Sequence, residues 1–297
     1  MILNKRQFKV LSFLESKQKE AKQTQRSIAG EIGLSVGSVN KTLSELEKEG
    51  LIEDGSIAEE GFKALEPHRV KRAVFLAAGF GERLIPVTLN TPKALMRVKG
   101  VRLIDTMLDA VLAAGVDEII IVRGYLSEQF DQLLSKYPMI KFVENPDYSE
   151  TNNISSMMLV RHLLKNAYVF DSDYLLYNPS VITKYQYSSN YLAFWVDRTD
   201  DWCIETKNGI ITKLKLGGND CYQMMSFAYW DKSDGEKLPE HIRQVYEMPG
   251  GKEWFWDQVP LDFFLKEYRV YVRECSIDDI VEIDNYSDLK KLDSSYI

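Results

Sequence analysis

The feature that most limits the fold of this chain is a continuous apolar run, Ala73-Val74-Phe75-Leu76-Ala77-Ala78. A strand that is apolar at every position is buried on both faces, which is typical of a central strand in a parallel sheet. Further strands are predicted at Glu118–Val122, Ile140–Val143 and Ala167–Asp171, alternating with helices at Leu103–Ala114, Ser127–Lys136 and Ile154–Leu164. This alternation predicts an open α/β sheet whose ligand lies at the carboxyl ends of the strands. After about Ser180 the chain is predicted to be β-rich and aromatic.

Residues 1–66 have a different pattern, made of short helical segments. Helices are predicted at Gln7–Leu14, Thr24–Ile32 and Ser35–Glu49, followed by two short strands within residues 51–57 and a helix at Glu59–Leu65. This order is that of a winged helix-turn-helix, and the segment resembles the winged-helix domains of bacterial transcription regulators. Residues 67–72 contain a proline, break both periodicities and are predicted to be a linker. A second domain then covers residues 73–297.

The charge of the first domain does not decide whether it binds DNA or another protein chain. Residues 1–66 carry ten basic and eleven acidic side chains, and seven of the ten basic ones precede Ser27. DNA readers normally neutralise several phosphates with Lys and Arg, so one face of this domain is a candidate for binding DNA. The alternative is a helical docking or dimerisation module, and a homodimer stays open.

The composition excludes several classes of function. The net charge of −7 argues against a general polyanion binder. Cys203, Cys221 and Cys275 are widely spaced and form neither a metal motif nor a disulfide framework. There is no signal peptide and no apolar run of about 18 residues, so we expect a cytoplasmic protein without a membrane segment.

The residues that follow the apolar run carry the chemistry. Gly79 and Gly81 permit a bend in which backbone N–H groups point into one concavity, which suits phosphate oxygens. Arg83 adds a forked cation for a triphosphate, and Lys93 adds a compact one for the transferred phosphoryl group. The spacing fits neither the phosphate loop of kinases nor the dinucleotide fingerprint of dehydrogenases.

The stretch Leu76-Ala77-Ala78-Gly79-Phe80-Gly81-Glu82-Arg83-Leu84-Ile85-Pro86-Val87-Thr88, followed by Pro92-Lys93-Ala94-Leu95, resembles the signature of the sugar-phosphate and choline-phosphate nucleotidyltransferases. Segments around Gly124, Asn145, Asp171 and Glu282 are similar to the bacterial CTP:phosphocholine cytidylyltransferases. The resemblance runs from about Arg72 to Asp293. It implies a Rossmann-like, GT-A-like mixed sheet, the use of CTP and Mg²⁺, and the release of pyrophosphate.

Two carboxylates are predicted to hold the metal ion. Asp173 follows the strand that ends near Phe170, and Asp284 follows an apparent strand over residues 280–283. Magnesium prefers hard oxygen ligands, usually one or two carboxylates together with phosphates. The resemblance assigns the metal to both positions, whereas the alternatives are a turn residue for Asp173 and a helix cap for Asp284. The predicted catalytic set is therefore Arg83, Lys93, Asp173 and Asp284.

The resemblance also implies the remaining contacts. The cytosine and its nucleotide are expected near Leu76, Ala77, Ala78, Gly79, Gly81, Arg83, Gly124, Tyr125, Asn153 and Asp173. Asn153 has the alternative role of a helix cap. An ammonium head group is held by aromatic faces and negative charge, which implies acceptor binding by Lys93, Trp202, Glu253, Trp254, Phe255, Trp256 and Glu282. The alternative for the aromatic run is ordinary core packing.

The leading hypothesis is thus a cytidylyltransferase that joins CMP to phosphocholine. Phosphoethanolamine, an aminoalkylphosphonate and a sugar phosphate stay open as acceptors, the last of them in a sugar-1-phosphate nucleotidyltransferase. A different hypothesis is a DNA-binding regulator that senses nucleotide or phosphocholine through this domain.

Overall fold

The computed structural model describes residues 2–18 and 23–296. Lys19 and Lys22, which contribute to the basic cluster of the first domain, lie outside the described residues. The chain divides into two compact units. The first comprises residues 1–69 together with Tyr185–Tyr187, and the second comprises residues 70–184 and 188–297.

The first unit has three helices, a small hairpin and a fourth helix: α1 (Lys5–Ser16), α2 (Gln25–Ile32), α3 (Val36–Lys48), β1 (Ile52–Glu53), β2 (Ser56–Ile57) and α4 (Glu59–Leu65). The side chains of Asn4, Thr24 and Ser35 cap the first three helices by accepting backbone N–H bonds. This is the predicted winged helix-turn-helix order. The sequence did not predict that Tyr187 belongs here, where its ring stacks on His68 at 5.3 Å.

The second unit is built around a seven-stranded mixed sheet of order β10-β12-β11-β8-β3-β6-β7. Its elements in chain order are β3 (Arg72–Ala77), β4 (Arg97–Val98), β5 (Val101–Arg102), α5 (Leu103–Ala113), β6 (Glu118–Arg123), β7 (Lys141–Glu144), α6 (Ile154–Val160), β8 (Ala167–Asp171), β9 (Tyr174–Leu176), β10 (Asn190–Lys207), β11 (Ile210–Trp230), α7 (Lys232–Glu247), β12 (Tyr271–Glu274), β13 (Ile280–Glu282) and α8 (Tyr286–Leu292). The central strand β3 runs parallel to β6 and β8. The predicted α/β class is therefore confirmed.

The apolar run is buried on both faces, as predicted. Phe75 packs in a cluster that includes residues of α5, and Val74 packs in a second cluster that includes residues of α6 and α7. Strand β3 ends at Ala77, at the carboxyl edge of the sheet, and the glycine-rich loop follows it there. That edge is where the sequence predicted the ligand.

One predicted helix is wrong in type, and another is too long. Ser127–Ser135 forms 3₁₀ turns rather than an α-helix, and it follows Leu126 in the left-handed conformation at φ 47°. The helix predicted to reach Leu164 ends at Val160 and continues as a 3₁₀ turn. None of the described helices is long and apolar enough to cross a membrane.

Candidate active site

The glycine-rich loop leaves β3 and returns to the sheet edge at Lys93. Gly81 has φ +73°, and a Cβ atom there would lie 3.2 Å from Thr88 Cγ2 and 3.4 Å from Lys93 Cβ. The Thr88 hydroxyl donates to the carbonyl of Gly81 at 3.0 Å. Glycine is therefore required at position 81 for its backbone conformation and for the space beside Lys93.

Two aspartates meet because two short strands pair. Strand β9 pairs with β13 in antiparallel register, with Tyr174 opposite Glu282, and the N–H of Ile283 donates to the carbonyl of Asp173 at 3.0 Å. Asp173 and Asp284, which lie at the ends of these strands, are thereby brought to one side of the loop. Neither the strand pair nor its register was evident from the sequence.

Each aspartate is paired with one of the predicted cations. Lys93 Nζ lies 2.9 Å from Asp173 Oδ2 and 3.9 Å from Asp284 Oδ1, and Arg83 pairs with Asp284. Burial of Lys93 opposes its charge, but the neighbouring Asp173 and the other acids hold the pKa of Lys93 above its ordinary value. The four predicted catalytic residues therefore form one charged cluster.

The cluster fits a magnesium ion that is bound together with a nucleotide. Asp173 Oδ1 is buried and has no hydrogen-bond partner among the described residues. No group of three or more His, Cys, Asp or Glu side chains within residues 2–18 and 23–296 is arranged to hold a metal alone. Since Mg²⁺ usually takes one or two carboxylates and completes its shell with phosphates and water, two aspartates and a spare buried oxygen suit it.

Two adjoining cavities open on either side of the cluster. The smaller, of about 260 Å³, is lined by the loop and by Lys93, Asn153 and the residues of the predicted nucleotide set Leu76, Ala77, Ala78, Gly79, Gly81 and Asp173. The larger, of about 630 Å³, is lined by Arg83, Trp202, Phe255, Glu282 and Asp284 among others. Asp171, Asp173 and Phe255 line both cavities, so they form a shared wall.

Three residues that were predicted to contact the nucleotide do not line the smaller cavity. Arg83 lines the larger cavity rather than the smaller. Gly124 and Tyr125 line neither of the two cavities, but a Cβ atom on Gly124 would lie 2.7 Å from the ring of Tyr148, which does line the smaller one. Gly124 therefore leaves room for Tyr148. Sequence reasoning missed Tyr148.

Asn153 does not cap its helix with its side chain. Its Oδ1 atom instead accepts the backbone N–H of Trp256 at 2.9 Å, and no side-chain capping bond is present at the start of α6. Beside it, Asn145 donates to the hydroxyl groups of Ser155 and Ser156, both at 2.9 Å. These polar groups line the smaller cavity, and they belong to the segment around Asn145 that carries part of the resemblance.

Only two of the four aromatic residues that were predicted to bind the acceptor line the larger cavity. Trp202 and Phe255 line the larger cavity and pack edge to face at 5.9 Å. Trp256 is 1% exposed and packs in the core against Tyr191 and Trp230. For Trp256 the core-packing alternative is correct, because its backbone is fixed by Asn153 and its ring fills the core.

Trp254 and Glu253 also lie outside the larger cavity. The ring of Trp254 packs edge to face on Phe263 at 5.2 Å. The backbone carbonyl of Glu253 accepts a bond from Asn152 Nδ2 at 3.2 Å, and neither Glu253 nor Trp254 lines either of the two cavities. Both were predicted to bind the acceptor, and the lining of the two cavities gives this prediction no support.

The larger cavity is strongly acidic. Seven carboxylates and one guanidinium line it: Asp171, Asp173, Asp200, Asp201, Asp257, Glu282, Asp284 and Arg83. Burial, together with the negative charges of Asp173 and Asp201, raises the pKa of Glu282 to about 8. Burial, followed by the charges of Asp173 and Asp257, also raises the pKa of Asp171. The free cavity thus favours cationic ligands.

Asp257 is the most buried carboxylate of this set, and it was not among the residues predicted individually to bind the acceptor. It is 5% exposed, accepts the Tyr191 hydroxyl at 2.7 Å, and has its pKa raised by burial to about 7. The only signal for it was its place at the end of the segment Glu253-Trp254-Phe255-Trp256-Asp257.

Replacing Asp257 with asparagine is expected to stabilise the free protein in mildly alkaline solution. The pKa of Asp257 is raised from 3.8 to about 7, so its contribution to stability is complete below pH 3.8 and is lost as the pH rises through about 7. Between pH 5 and pH 8 this loss amounts to about 3 kcal/mol, and asparagine removes it while still accepting the Tyr191 hydroxyl. Urea unfolding at pH 5 and pH 8, without nucleotide or metal, measures the difference.

Tryptophan fluorescence is the suitable probe for this experiment, because all five tryptophans lie between residues 195 and 256, in the second unit. Asp262→Asn is the matched control, since Asp262 is exposed and five residues away. Equal pH dependence in Asp257→Asn and in the unaltered protein would contradict the prediction.

Comparison with known proteins identifies the class. Residues 72–189 match the nucleotidyl transferase family model, and residues 3–53 match a winged helix-turn-helix DNA-binding model. A choline-phosphate cytidylyltransferase from Streptococcus pneumoniae is 34% identical over 223 residues, which cover 75% of this chain and 96% of that protein. The chain therefore belongs to the nucleotidyltransferase family and carries a winged helix-turn-helix domain.

Within the family, its relatives include cytidylyltransferases of the choline-phosphate and aminoethylphosphonate type. A 2-aminoethylphosphonate cytidylyltransferase from Lancefieldella rimae is 31% identical over 229 residues, covering 76% of this chain and 93% of that protein. The solved structure of the CTP:phosphocholine cytidylyltransferase from Streptococcus pneumoniae matches with a TM-score of 0.70 and 34% identity, over 77% of this chain and 100% of that one. The resemblance stated from the motifs is thus confirmed.

Proposed function

We propose that the second unit transfers CMP from CTP to a small phosphate or phosphonate that carries a cationic amine, in a Mg²⁺-dependent reaction that releases pyrophosphate. The observation that carries this proposal is the meeting of two cavities at Asp173, between Lys93 and Asp284. The smaller cavity takes the nucleotide. The larger, acidic cavity takes the amine.

The chemistry needs alignment more than an activating base. A phosphate monoester has its second pKa near 6, so near neutral pH its oxygen can attack the α-phosphorus of CTP directly while pyrophosphate leaves. No histidine lines either of the two cavities, and His241 stacks instead on Phe264 with ring centres 3.9 Å apart. Catalysis therefore rests on holding the two reactants in line and on neutralising charge.

The cations of the cluster serve the polyphosphate. Lys93 and Arg83 are held at the junction of the cavities by Asp173 and Asp284, where they bind phosphate oxygens as negative charge shifts to the leaving group. Asp173 and Asp284 would hold Mg²⁺, which when bound neutralises further charge on the phosphates. Asn153 and the backbone of residues 76–78 line the nucleotide cavity, and we assign them to reading the cytosine.

A pyrophosphate-release assay with a substrate panel tests the proposal. Each of the four common nucleoside triphosphates is combined with choline phosphate, ethanolamine phosphate, 2-aminoethylphosphonate and sugar 1-phosphates, with Mg²⁺ and with a chelator. We expect turnover with CTP and an amine-bearing acceptor only, and its loss on chelation. Turnover of a sugar phosphate in place of every amine would establish the alternative, a sugar-1-phosphate nucleotidyltransferase. Because the reaction consumes CTP, we place it in the cytoplasm.

DNA binding is a second candidate function, and it concerns the first unit alone. The match to a winged helix-turn-helix model is supported by the exposed face of α3, which presents Asn40, Lys41, Ser44 and Lys48. A helix at this position of the motif enters the major groove. This leaves the regulator hypothesis open for a chain that is also an enzyme.

Fluorescence anisotropy with DNA from upstream of the protein's own coding sequence, with and without CTP, tests this second candidate. Joint replacement of Lys41 and Lys48 with alanine should abolish binding and flatten its salt dependence. Lys63→Ala is the control, because Lys63 lies on α4 and is paired with Glu59 and Glu60. Absence of binding by the unaltered protein at low salt would leave a docking or homodimer role for this unit.

A further inference from the structure

The inner part of the larger cavity differs from its mouth. Asp257 is 5% exposed, whereas Phe255 is 40% exposed. Asp257 also lies close enough to Asp171 to raise the pKa of that group. We define Asp171, Asp257 and Glu282 as the acidic wall. Asp257 is the buried member of the wall, Asp171, Glu282 and Trp202 are half-buried, and Phe255 is exposed.

The acidic wall holds acceptor atoms that the protein does not satisfy. Asp257 accepts one side-chain hydrogen bond, from the Tyr191 hydroxyl. The side chain of Glu282 has neither a hydrogen bond nor an ion pair with any residue that the structure describes, although it lines the cavity. A carboxylate has about four lone-pair sites, so the wall can accept several more bonds.

Basic side chains of the protein meet this need only in part: Lys93 acts on Glu282, whereas no basic side chain of the described residues acts on Asp171 or Asp257. The only basic side chain among the described residues lining the larger cavity is Arg83, which pairs with Asp284. Asp257 is buried without a counter-charge, which is unfavourable unless a ligand supplies one. The ligand that completes the wall is therefore a cation with N–H donors.

The aromatic residues are poorly arranged for a cation without donors. A quaternary ammonium is held by ring faces, and three rings line this cavity. Tyr174 is 2% exposed and packs edge-on against Phe227, while Trp202 and Phe255 pack against each other. A trimethylammonium group would also leave the acceptors of the wall without hydrogen bonds, which is costly for buried polar groups.

We propose that the acidic wall selects acceptors with a primary ammonium group over those with a trimethylammonium group, with Asp257 and Glu282 as specificity-determining residues. The substrate class is then 2-aminoethyl phosphates and phosphonates. This departs from the phosphocholine expected from the sequence, and it rests on the proposed cytidylyl transfer.

A methylation series tests this proposal. Ethanolamine phosphate and its N-methyl, N,N-dimethyl and N,N,N-trimethyl forms carry the same charge but three, two, one and no N–H donors. With CTP and Mg²⁺, kcat/KM is expected to fall along the series, by at least about a hundredfold from the first member to the last. 2-Aminoethylphosphonate should be used as well as the phosphate of the same amine, or better.

The variants Asp257→Asn and Glu282→Gln should shrink this ratio, chiefly by lowering kcat/KM for the primary amine. Asp262→Asn and Asp197→Asn, at exposed positions outside both cavities, should leave the ratio unchanged. Thermal melting and CTP binding by calorimetry confirm that each variant is folded.

The outcomes separate the two proposals. Equal or better use of choline phosphate, or an unchanged ratio in both wall variants, would overturn the selection of primary amines while cytidylyl transfer stands. Absence of pyrophosphate release with every acceptor of the series would instead refute the proposed function.

Discussion

Replacing Asp173 with asparagine is expected to lower kcat for pyrophosphate release by about a thousandfold or more. Asp173 lies in the wall between the two cavities, pairs with Lys93 at 2.9 Å and has a buried oxygen without a partner. Asparagine fills the same volume but removes the charge that a divalent ion needs, and a loss of about 4 kcal/mol of transition-state stabilisation corresponds to this factor. Steady-state rates at saturating CTP and acceptor measure it.

The control for this variant is Asp278→Asn, because Asp278 is exposed and lies six residues before Asp284. The variant should also need a higher Mg²⁺ concentration for half-maximal rate, an effect that a purely structural role would not produce. Retention of full activity at the ordinary Mg²⁺ concentration would rule out a metal ligand at this position.

Replacing Lys93 with methionine is expected to lower kcat/KM by about a hundredfold to a thousandfold, as removal of one preorganised donor commonly does. The pKa of Lys93 is raised although burial opposes its charge, so the side chain stays cationic at working pH. Methionine keeps the length and loses the charge, so polyphosphate binding and leaving-group stabilisation weaken together. Calorimetry of CTP binding and kcat/KM for both substrates measure the two effects.

Lys232→Met provides the matched comparison for the lysine variant, because Lys232 is exposed at the start of α7. The Lys93 variant also leaves Asp173 without its ion pair, so we expect Mg²⁺ to stabilise it against heat more than it stabilises the unaltered protein. More than a tenth of normal activity in Lys93→Met would contradict a role in the reaction.

The loop and the strand before it could be predicted from the sequence, since both depend on local patterns. The run over residues 73–78 is apolar at every position. Gly81 has a positive φ and leaves little room for a Cβ atom beside Thr88 and Lys93, so both its backbone conformation and its surroundings favour glycine. The winged-helix order could be predicted for the same reason, because caps at Asn4, Thr24 and Ser35 begin its helices.

The acceptor cavity could not be predicted, because it depends on distant parts of the chain. Its walls come from β8, β9, the long hairpin of β10 and β11, the segment around Asp257 and β13. Spacing along the chain does not reveal which of two neighbouring aromatic residues faces a cavity. Phe255 faces it and Trp256 does not, a difference fixed by the bond from Trp256 to Asn153.

The shared wall has a consequence for inhibitor design. A product of the proposed reaction joins a nucleotide to an amine through a diphosphate or a phosphonate–phosphate bridge, and such a molecule fills both cavities at once across Asp171, Asp173 and Phe255. Tethering two ligands makes the second binding event intramolecular, so a non-hydrolysable linked analogue gains avidity without any additional contact. The length of the linker then becomes the variable to optimise, because a linker that is too short to cross the shared wall loses that gain.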